Sequence, residues 1–455
     1  MRSILGIAVA LGALAACAGC GDGGSGSDAG AAPDAGLDSG ADTDVDTDAD
    51  TDADADAGPP TVILPRESIA ADELAVLVNT NDAQSIAVAE YYMAARGIPE
   101  ANRVDVELPT GVDVATQAEF EAAEAVVDAA LGPDIQALAI TWTRPYRAEC
   151  MSITSAFALG FDTAYCSTPC NPTAAVDYFD SESLAPFTDH GLRPAMMLAA
   201  ASVEDAEALV DRGVASDLTF PLGDGYLVRT TDEARSVRWG AFVQTTDEWD
   251  YDGGLALEYV DNSDGSGLDY IEGATDVLFY FTGLATVPAI DTNTYRPGAV
   301  ADHLTSYGGQ VPTSGQMSAV AWLEAGATAS YGTVVEPCNY TQKFPDARVM
   351  LPRYFRGGTV IEAYWKSVSW PGEGLFVGEP LARPWGSTVT FVDGTLTIRT
   401  TALVPGRTYA LSEAEDEAGP YTPVIEGITV PHLQITVVTL EGATAPFYEL
   451  AETGG

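Results

Sequence analysis

Four residues in the second half of the chain have side chains that could do chemistry. His303 and Ser306 stand three residues apart at the end of a predicted strand, and Glu336 and Cys338 follow a later one. A serine hydroxyl is a useful nucleophile only with a base in hydrogen-bond reach, and His303 is the nearest base in sequence. On one strand, however, residues three apart point to opposite faces. A backbone-bonded His303 and a turn-forming Ser306 are therefore the favoured interpretation, with a hydrolytic pair as the alternative.

Glu336 is the strongest single candidate for a site residue. It follows a predicted core strand over residues 327–331, at the sheet edge where ligands bind in open α/β folds. The competing interpretation is structural, with the carboxylate capping a loop or pairing with Arg144, Arg147 or Arg353.

A further group of candidates follows an earlier predicted strand. Trp142, Arg144 and Arg147 lie in the loop after residues 135–141. Indole and guanidinium groups there could bind a carboxylate or a sugar in the same cleft as Glu336. Alternatively, the tryptophan is buried in the core and the arginines pair with carboxylates of this very acidic protein.

Four cysteines, Cys150, Cys166, Cys170 and Cys338, follow the N-terminal region. In an exported protein we expect two disulfides, whose connectivity the spacing leaves open, although Cys166 and Cys170 could close a local loop. A reactive thiol at Cys338 is the alternative. Zinc is disfavoured because paired Cys-x-x-Cys spacing is missing. The sequence also lacks a P-loop, a dinucleotide fingerprint and a nucleophile elbow, so we predict no metal and no cofactor.

The elements that must position these residues alternate between strand-like apolar runs and amphipathic helical runs. This alternation predicts an α/β domain over residues 61–386, with a mostly parallel sheet flanked by helices. The predicted strands include residues 73–79, 104–108, 135–141, 193–200, 239–244, 276–282 and 327–331. The predicted helices include residues 85–96, 116–131, 203–212 and 318–325, and one over 349–364 that two glycines interrupt. Residues 387–455 alternate polar and apolar side chains between turn signals, which predicts a small C-terminal antiparallel β-module.

The first 60 residues predict export. An apolar run over residues 4–16 follows Arg2 and ends in small residues before Cys17, which is the pattern of a bacterial lipoprotein signal. We therefore predict a signal peptide over residues 1–16, a lipid on Cys17, and anchoring at the outer membrane or cell surface. An ordinary secretory signal is the alternative. Residues 17–60 contain no Lys, Arg or aromatic residue and are predicted to form a flexible acidic tether.

The charge of the chain excludes some partners. It has 67 acidic and 20 basic residues and a formal net charge of −47. Such a field opposes binding to nucleic acid or to anionic lipid, so we expect contact with a membrane only through the N-terminal lipid.

Three sequence blocks resemble one family of uncharacterised secreted bacterial proteins. They are SIAVAEYY with RGIP within residues 85–99, GTVVEP at residues 332–337, and VGEPLARP at residues 377–384. The resemblance spans residues 73–386 and departs from the family pattern at Glu379, where aspartate is typical. It implies an exported protein and no established activity.

The order of elements is also similar to the caspase-like fold of the gingipain peptidases. In that fold a strand ends in a catalytic histidine and the next core strand ends in a catalytic cysteine. Here the strand over residues 276–282 runs into Gly283-Leu284-Ala285, and the next reaches Ser306, so both members of the dyad are missing. We therefore expect a non-catalytic surface module that binds an extracellular protein or polysaccharide, or acts as a scaffold. The alternative is a peptidase-like hydrolase with a cleft at the carboxyl edge of the sheet.

Overall fold

The computed structural model describes residues 58–166, 170–251 and 253–454. The predicted signal peptide, Cys17 and nearly all of the predicted tether lie outside the described residues. No helix in the described part of the chain has the length and apolar character needed to cross a membrane.

Strands and helices alternate through most of the described chain. The strands are β1 (Thr61–Ile63), β2 (Leu74–Asn79), β3 (Arg103–Val106), β4 (Val114–Ala115), β5 (Ala137–Ile140), β6 (Arg147–Ala148), β7 (Met151–Ser152), β8 (Ala195–Met197), β9 (Gly223–Arg229), β10 (Leu255–Asp261), β11 (Val277–Thr282), β12 (Tyr295–His303), β13 (Ala329–Thr333), β14 (Gly374–Gly378), β15 (Thr388–Val392), β16 (Thr395–Thr400), β17 (Tyr409–Ala414), β18 (Thr422–Ile428), β19 (Thr436–Glu441) and β20 (Phe447–Glu452). The helices are α1 (Ala83–Arg96), α2 (Gln117–Ala130), α3 (Ile153–Leu159), α4 (Pro186–His190), α5 (Val203–Ser216), α6 (Trp239–Glu248), α7 (Val320–Ala325), α8 (Ala347–Phe355) and α9 (Val360–Ser367).

A ten-stranded sheet forms the centre of the fold, in the order β10-β9-β11-β12-β13-β14-β8-β5-β2-β3. Strands β2, β5, β11 and β13 are buried along their whole length, as expected where helices cover both faces of a parallel sheet. The prediction of an α/β fold with a mostly parallel sheet flanked by helices is confirmed.

The sheet consists of two parallel halves that run in opposite directions. Neighbouring strands are parallel from β10 to β13 and again from β14 to β3, and the single antiparallel pairing joins β13 to β14. Consequently, the carboxyl ends of the two halves lie at opposite edges of the sheet.

The helix ends follow local sequence signals. The side chain of Asp82 accepts a hydrogen bond from the Gln84 amide at the start of α1, and α1 ends at Gly97, whose φ of 63° favours glycine. The predicted interruption between α8 and α9 is confirmed, and Gly357 there has a φ of 87°.

Residues 239–244 were predicted as a strand, and this was wrong, because they lie in α6. A short apolar run does not distinguish a strand from a buried helix segment. In α6, Phe242 and Thr245 share one buried face at helical spacing while most of the other side chains are more exposed. Strand β9 was not predicted at all, since its sequence GDGYLVR opens with residues typical of turns.

The predicted β-module contains a three-stranded antiparallel sheet, β15-β16-β19, and a four-stranded sheet, β1-β20-β17-β18. Apolar side chains from both sheets form one core, which includes Leu396, Leu411 and Tyr448. Strand β1 pairs in parallel with the start of β20. Residues 61–63, predicted to open the α/β domain, therefore belong to a sheet of the β-module, and a three-residue strand is too short to be recognised in sequence.

Candidate functional site

The carboxyl ends of β9, β11, β12 and β13 meet at one edge of the large sheet. Ser306 lies three residues after β12, Glu336 lies three residues after β13, and Arg235 lies in the loop after β9. A pocket of about 270 Å³ opens between them, here called the edge pocket. Its lining residues are Ala234, Arg235, Leu304, Thr305, Ser306, Glu336, Cys338 and Asn339. The fold thus brings together three of the predicted candidates, Ser306, Glu336 and Cys338.

His303 is the last residue of β12 and points into the core, where its side chain is 1% exposed. Its Nδ1 accepts a hydrogen bond from Trp322 Nε1 at 2.9 Å. Because an indole N–H can only donate, the proton of the neutral ring is on Nε2, which donates to Met317 O at 3.1 Å. Burial lowers the pKa of His303 to about 3. Both ring nitrogens are therefore occupied, and neither serves as a base for Ser306.

A glutamine side chain holds the turn that carries Ser306. Gln316 Oε1 accepts from the Ser306 amide at 2.9 Å, from the Tyr307 amide at 3.3 Å, and from the Thr305 hydroxyl. Among the described residues, no side chain forms a hydrogen bond with the Ser306 hydroxyl, which therefore faces the edge pocket without an activating base. This geometry matches the turn-forming interpretation of Ser306.

Glu336 holds a second turn at the same edge. Its Oε1 accepts from the backbone amide of Cys338 at 2.9 Å, and Cys338 is joined to Cys170 by a disulfide with a Cα–Cα distance of 5.4 Å. The Glu336 carboxylate and the two sulfurs lie within 4.8 Å of one another. Bonded sulfurs do not act as thiolate ligands, so this cluster is not a metal site while the disulfide is intact.

The second disulfide joins Cys150 to Cys166, with a Cα–Cα distance of 5.8 Å. The prediction of two disulfides is thus confirmed. A local disulfide between Cys166 and Cys170 does not form, because Cys166 is bonded to Cys150 and Cys170 is bonded to Cys338.

Trp142, Arg144 and Arg147 do not line the edge pocket. They follow β5, which belongs to the half of the sheet that runs in the opposite direction, so the carboxyl end of β5 is at the other edge. Trp142 is fully buried and donates from Nε1 to Pro145 O at 3.1 Å. Arg144 pairs with Asp113 at 2.6 Å. Arg147 lies on β6 and is half-buried.

Two of the three arginines that could have paired with Glu336, Arg353 and Arg144, have other partners, and Arg147 forms no ion pair among the described residues. Arg353 binds Asp180 at 2.8 Å and Glu182 at 2.5 Å. Arg144, described above, binds an aspartate at the opposite edge. The carboxylate of Glu336 therefore has one oxygen committed to the Cys338 amide and no arginine partner among the described residues.

Sequence reasoning missed Arg235, which is held at the edge pocket by close backbone packing. Its carbonyl oxygen would be 2.0 Å from a Cβ atom on Gly283, so only glycine fits after β11. Its side chain pairs with Asp232 at 2.8 Å, and Nε donates to Thr305 Oγ1 at 3.3 Å. Arg235 follows β9, and an unpredicted strand offers no carboxyl end from which to predict a site residue.

Two of the family-like sequence blocks meet in the interior rather than at the edge pocket. Arg96, of the RGIP block, forms ion pairs with the fully buried Glu379, of the VGEPLARP block, and with Asp217. Burial raises the pKa of Glu379, and the adjacent Arg96 opposes that shift. These motif residues therefore join distant segments of the fold.

No protein-family model and no curated protein matches the sequence. Among solved structures, the chain is similar to one described as "Structure of Protease", with 10% sequence identity and a TM-score of 0.40, over 87% of this chain and 97% of that chain. A likeness at this level carries no argument about activity.

Proposed function

We propose that this chain is an exported, lipid-anchored cell-envelope protein whose α/β domain binds an extracellular ligand without catalysing a reaction. In this proposal the domain is a degenerate relative of the caspase- and gingipain-like peptidases, and the edge pocket is its ligand site. The export and anchoring rest on the lipoprotein-like start of the sequence and on the resemblance to secreted bacterial proteins.

The observation that carries the non-catalytic assignment is the state of His303. Its two ring nitrogens are held by Trp322 and Met317, so it has no free lone pair to take a proton from Ser306. Cys338, the other potential nucleophile of the edge pocket, forms a disulfide with Cys170 and has no free thiol. The pocket thus presents hydroxyl, guanidinium, amide and carboxylate groups but no activated nucleophile.

This set of groups favours a hydroxyl-rich polysaccharide as the ligand. Ser306, Arg235 and Asn339 supply donors, while Glu336 has an uncommitted carboxylate oxygen that accepts. Sugar hydroxyls both donate and accept, so one glycan unit can satisfy all of these groups at once.

The binding test is a glycan array probed with the purified protein and with Glu336→Gln and Arg235→Gln. Loss of a hydrogen bond to a charged group costs about 1.5–3 kcal/mol, so each variant is expected to lose about tenfold or more in affinity. The matched control is Arg103→Gln, which removes an arginine paired with Asp105 away from the pocket. Unchanged glycan binding by both pocket variants would overturn the assignment of the site.

The hydrolase alternative is tested with serine- and thiol-directed covalent probes followed by mass spectrometry. One serine–histidine contact is the reason to test this alternative. Ser181 Oγ lies 3.0 Å from His190 Nε2, outside the edge pocket. That hydroxyl also accepts from the Ser183 amide at 3.0 Å. We expect no adduct at Ser306, Ser181 or Cys338 in the folded, oxidised protein. An adduct that forms in the folded protein, but not in protein denatured before the probe is added, would establish an activated nucleophile.

The anchor is tested separately by metabolic labelling with an alkyne fatty acid. Cys17→Ser is expected to abolish labelling and to release the protein from the membrane fraction, while Cys20→Ser is the control and keeps both. Labelling that survives Cys17→Ser would refute the assigned lipid site.

A further inference from the structure

Three potential metal ligands meet beside the edge pocket. The sulfurs of Cys170 and Cys338 and a carboxylate oxygen of Glu336 lie within 4.8 Å of one another, and all three residues are partly exposed. They form the one such group of histidine, cysteine or acidic residues in the part of the chain that the structure describes. The sequence hides this group, because the two sulfurs are on residues 168 positions apart.

The carboxylate of Glu336 is the feature that a purely structural disulfide leaves without a purpose. Its Oε1 accepts from the Cys338 amide at 2.9 Å, which holds the carboxylate beside the disulfide. It forms no ion pair with any described residue. A divalent cation bound by two thiolates gains from a third, anionic ligand, and carboxylate oxygen is one that zinc accepts. The net charge of −47 also raises the concentration of cations around the chain.

The spacing of the two cysteines suits a metal ion as well as a disulfide. Their Cα atoms are 5.4 Å apart, and the Cβ atoms of a disulfide lie roughly 3.8 Å apart. Two thiolates on one zinc ion also lie roughly 3.8 Å apart, since each Zn–S bond is about 2.3 Å long and the angle between them is tetrahedral. Once the S–S bond is broken, parallel Cβ–Sγ bonds therefore bring both sulfurs to one ion by side-chain rotation alone.

We propose that reduction of the Cys170–Cys338 disulfide creates a zinc site, with the two thiolates and the Glu336 carboxylate as its protein ligands. Three protein ligands leave a fourth tetrahedral position for water or an incoming group. Cys338 and Glu336 line the edge pocket, so solvent reaches the ion from there. This site shares Glu336 with the proposed glycan site but does not depend on glycan binding.

The switch from disulfide to zinc site requires a dithiol reductant. A thiolate of the reductant attacks one sulfur of the disulfide, which breaks the S–S bond and forms a mixed disulfide, and the second thiol of the reductant then displaces the protein sulfur. The reductant leaves as a disulfide, and Cys170 and Cys338 have together gained two electrons and two protons. Zinc binding then releases both protons to the solvent as the thiols become thiolates.

The second disulfide is an internal control for this chemistry. Cys166 is 4% exposed, so a reductant reaches the Cys150–Cys166 bond less readily. Neither of these cysteines belongs to a described group of three potential ligands. Reduction of the Cys150–Cys166 bond is therefore expected to create no zinc site.

The test measures zinc bound per chain by competition with a chromophoric chelator, before and after reduction with dithiothreitol, which is removed under nitrogen before zinc is added. The protein is the untagged full chain with Cys17→Ser and Cys20→Ser, which removes the two other cysteines of the sequence. Circular dichroism reports on folding in each state. Three variants are compared in this background, namely Cys170→Ser with Cys338→Ser, Cys150→Ser with Cys166→Ser, and Glu336→Gln.

We expect one zinc ion per reduced chain and none per oxidised chain. The paired variant at Cys150 and Cys166 is expected to keep this ion, and the paired variant at Cys170 and Cys338 is expected to lose it. Glu336→Gln is expected to bind zinc at least about tenfold more weakly. Cobalt in place of zinc is expected to show thiolate-to-metal charge-transfer absorption in the reduced chain alone.

Absence of zinc from the reduced chain, or equal binding by the oxidised and reduced chains, would overturn the proposal. Zinc binding that survives the paired substitution at Cys170 and Cys338 would overturn it too. So would loss of the native circular dichroism on reduction, because ligands from distant segments meet only in the folded chain. An unchanged affinity in Glu336→Gln would refute the third ligand. Glycan binding is measured on the oxidised protein, so failure of either test leaves the other result standing.

Discussion

Acidification is expected to destabilise this protein through His303. Burial lowers its pKa from 6.5 to about 3, so the unfolded chain binds a proton between these pH values and the folded chain does not. The stabilising effect of the neutral ring is therefore fully present above pH 6.5 and is lost as the pH falls. Integrating the proton linkage from pH 8 down to pH 5 gives a loss of about 2 kcal/mol in the free energy of unfolding.

The assay is urea denaturation followed by tryptophan fluorescence at pH 8 and at pH 5, for the wild-type protein and for His303→Gln. Glutamine keeps one acceptor for Trp322 and one donor for Met317 but does not titrate. We expect the wild-type protein to lose about 2 kcal/mol more than the variant between the two pH values. His432→Gln, in the β-module, controls for a histidine-to-glutamine change as such. If His303→Gln loses as much stability as the wild-type protein, the buried neutral state of His303 is refuted.

Two further predictions concern covalent and ionic links between distant segments. The Cys170–Cys338 disulfide spans 168 residues and the Cys150–Cys166 disulfide spans 16, and the chain-entropy model gives roughly 5 and 3 kcal/mol for them. Paired serine substitutions should therefore destabilise the protein more at the first disulfide, as measured by urea denaturation, and the reverse order would contradict the assigned pairing. Arg96→Met leaves a buried carboxylate without its partner and is expected to cost about 3–5 kcal/mol in the same assay. A loss below about 1 kcal/mol, typical of exposed pairs, would show that this ion pair is not buried.

The predicted cleft shared by Trp142 and Glu336 failed because it depended on strand direction, whereas residues 239–244 and β9 were mispredicted because short local patterns are ambiguous. Trp142 and Ser306 both follow core strands, so sequence alone predicts one shared cleft. The antiparallel contact between β13 and β14 separates them to opposite edges, and that contact is formed by residues more than 40 positions apart.

By itself, the sequence determined the alternation of helices and strands, several helix ends, the β-module and the presence of two disulfides. These depend on local periodicity, capping residues and cysteine count, which act over a few residues. Only the tertiary structure decided which strand ends share an edge and that both nitrogens of His303 are engaged in hydrogen bonds. These depend on long-range pairing and burial, and the free energy of a long-range contact is not encoded in any single stretch of the chain.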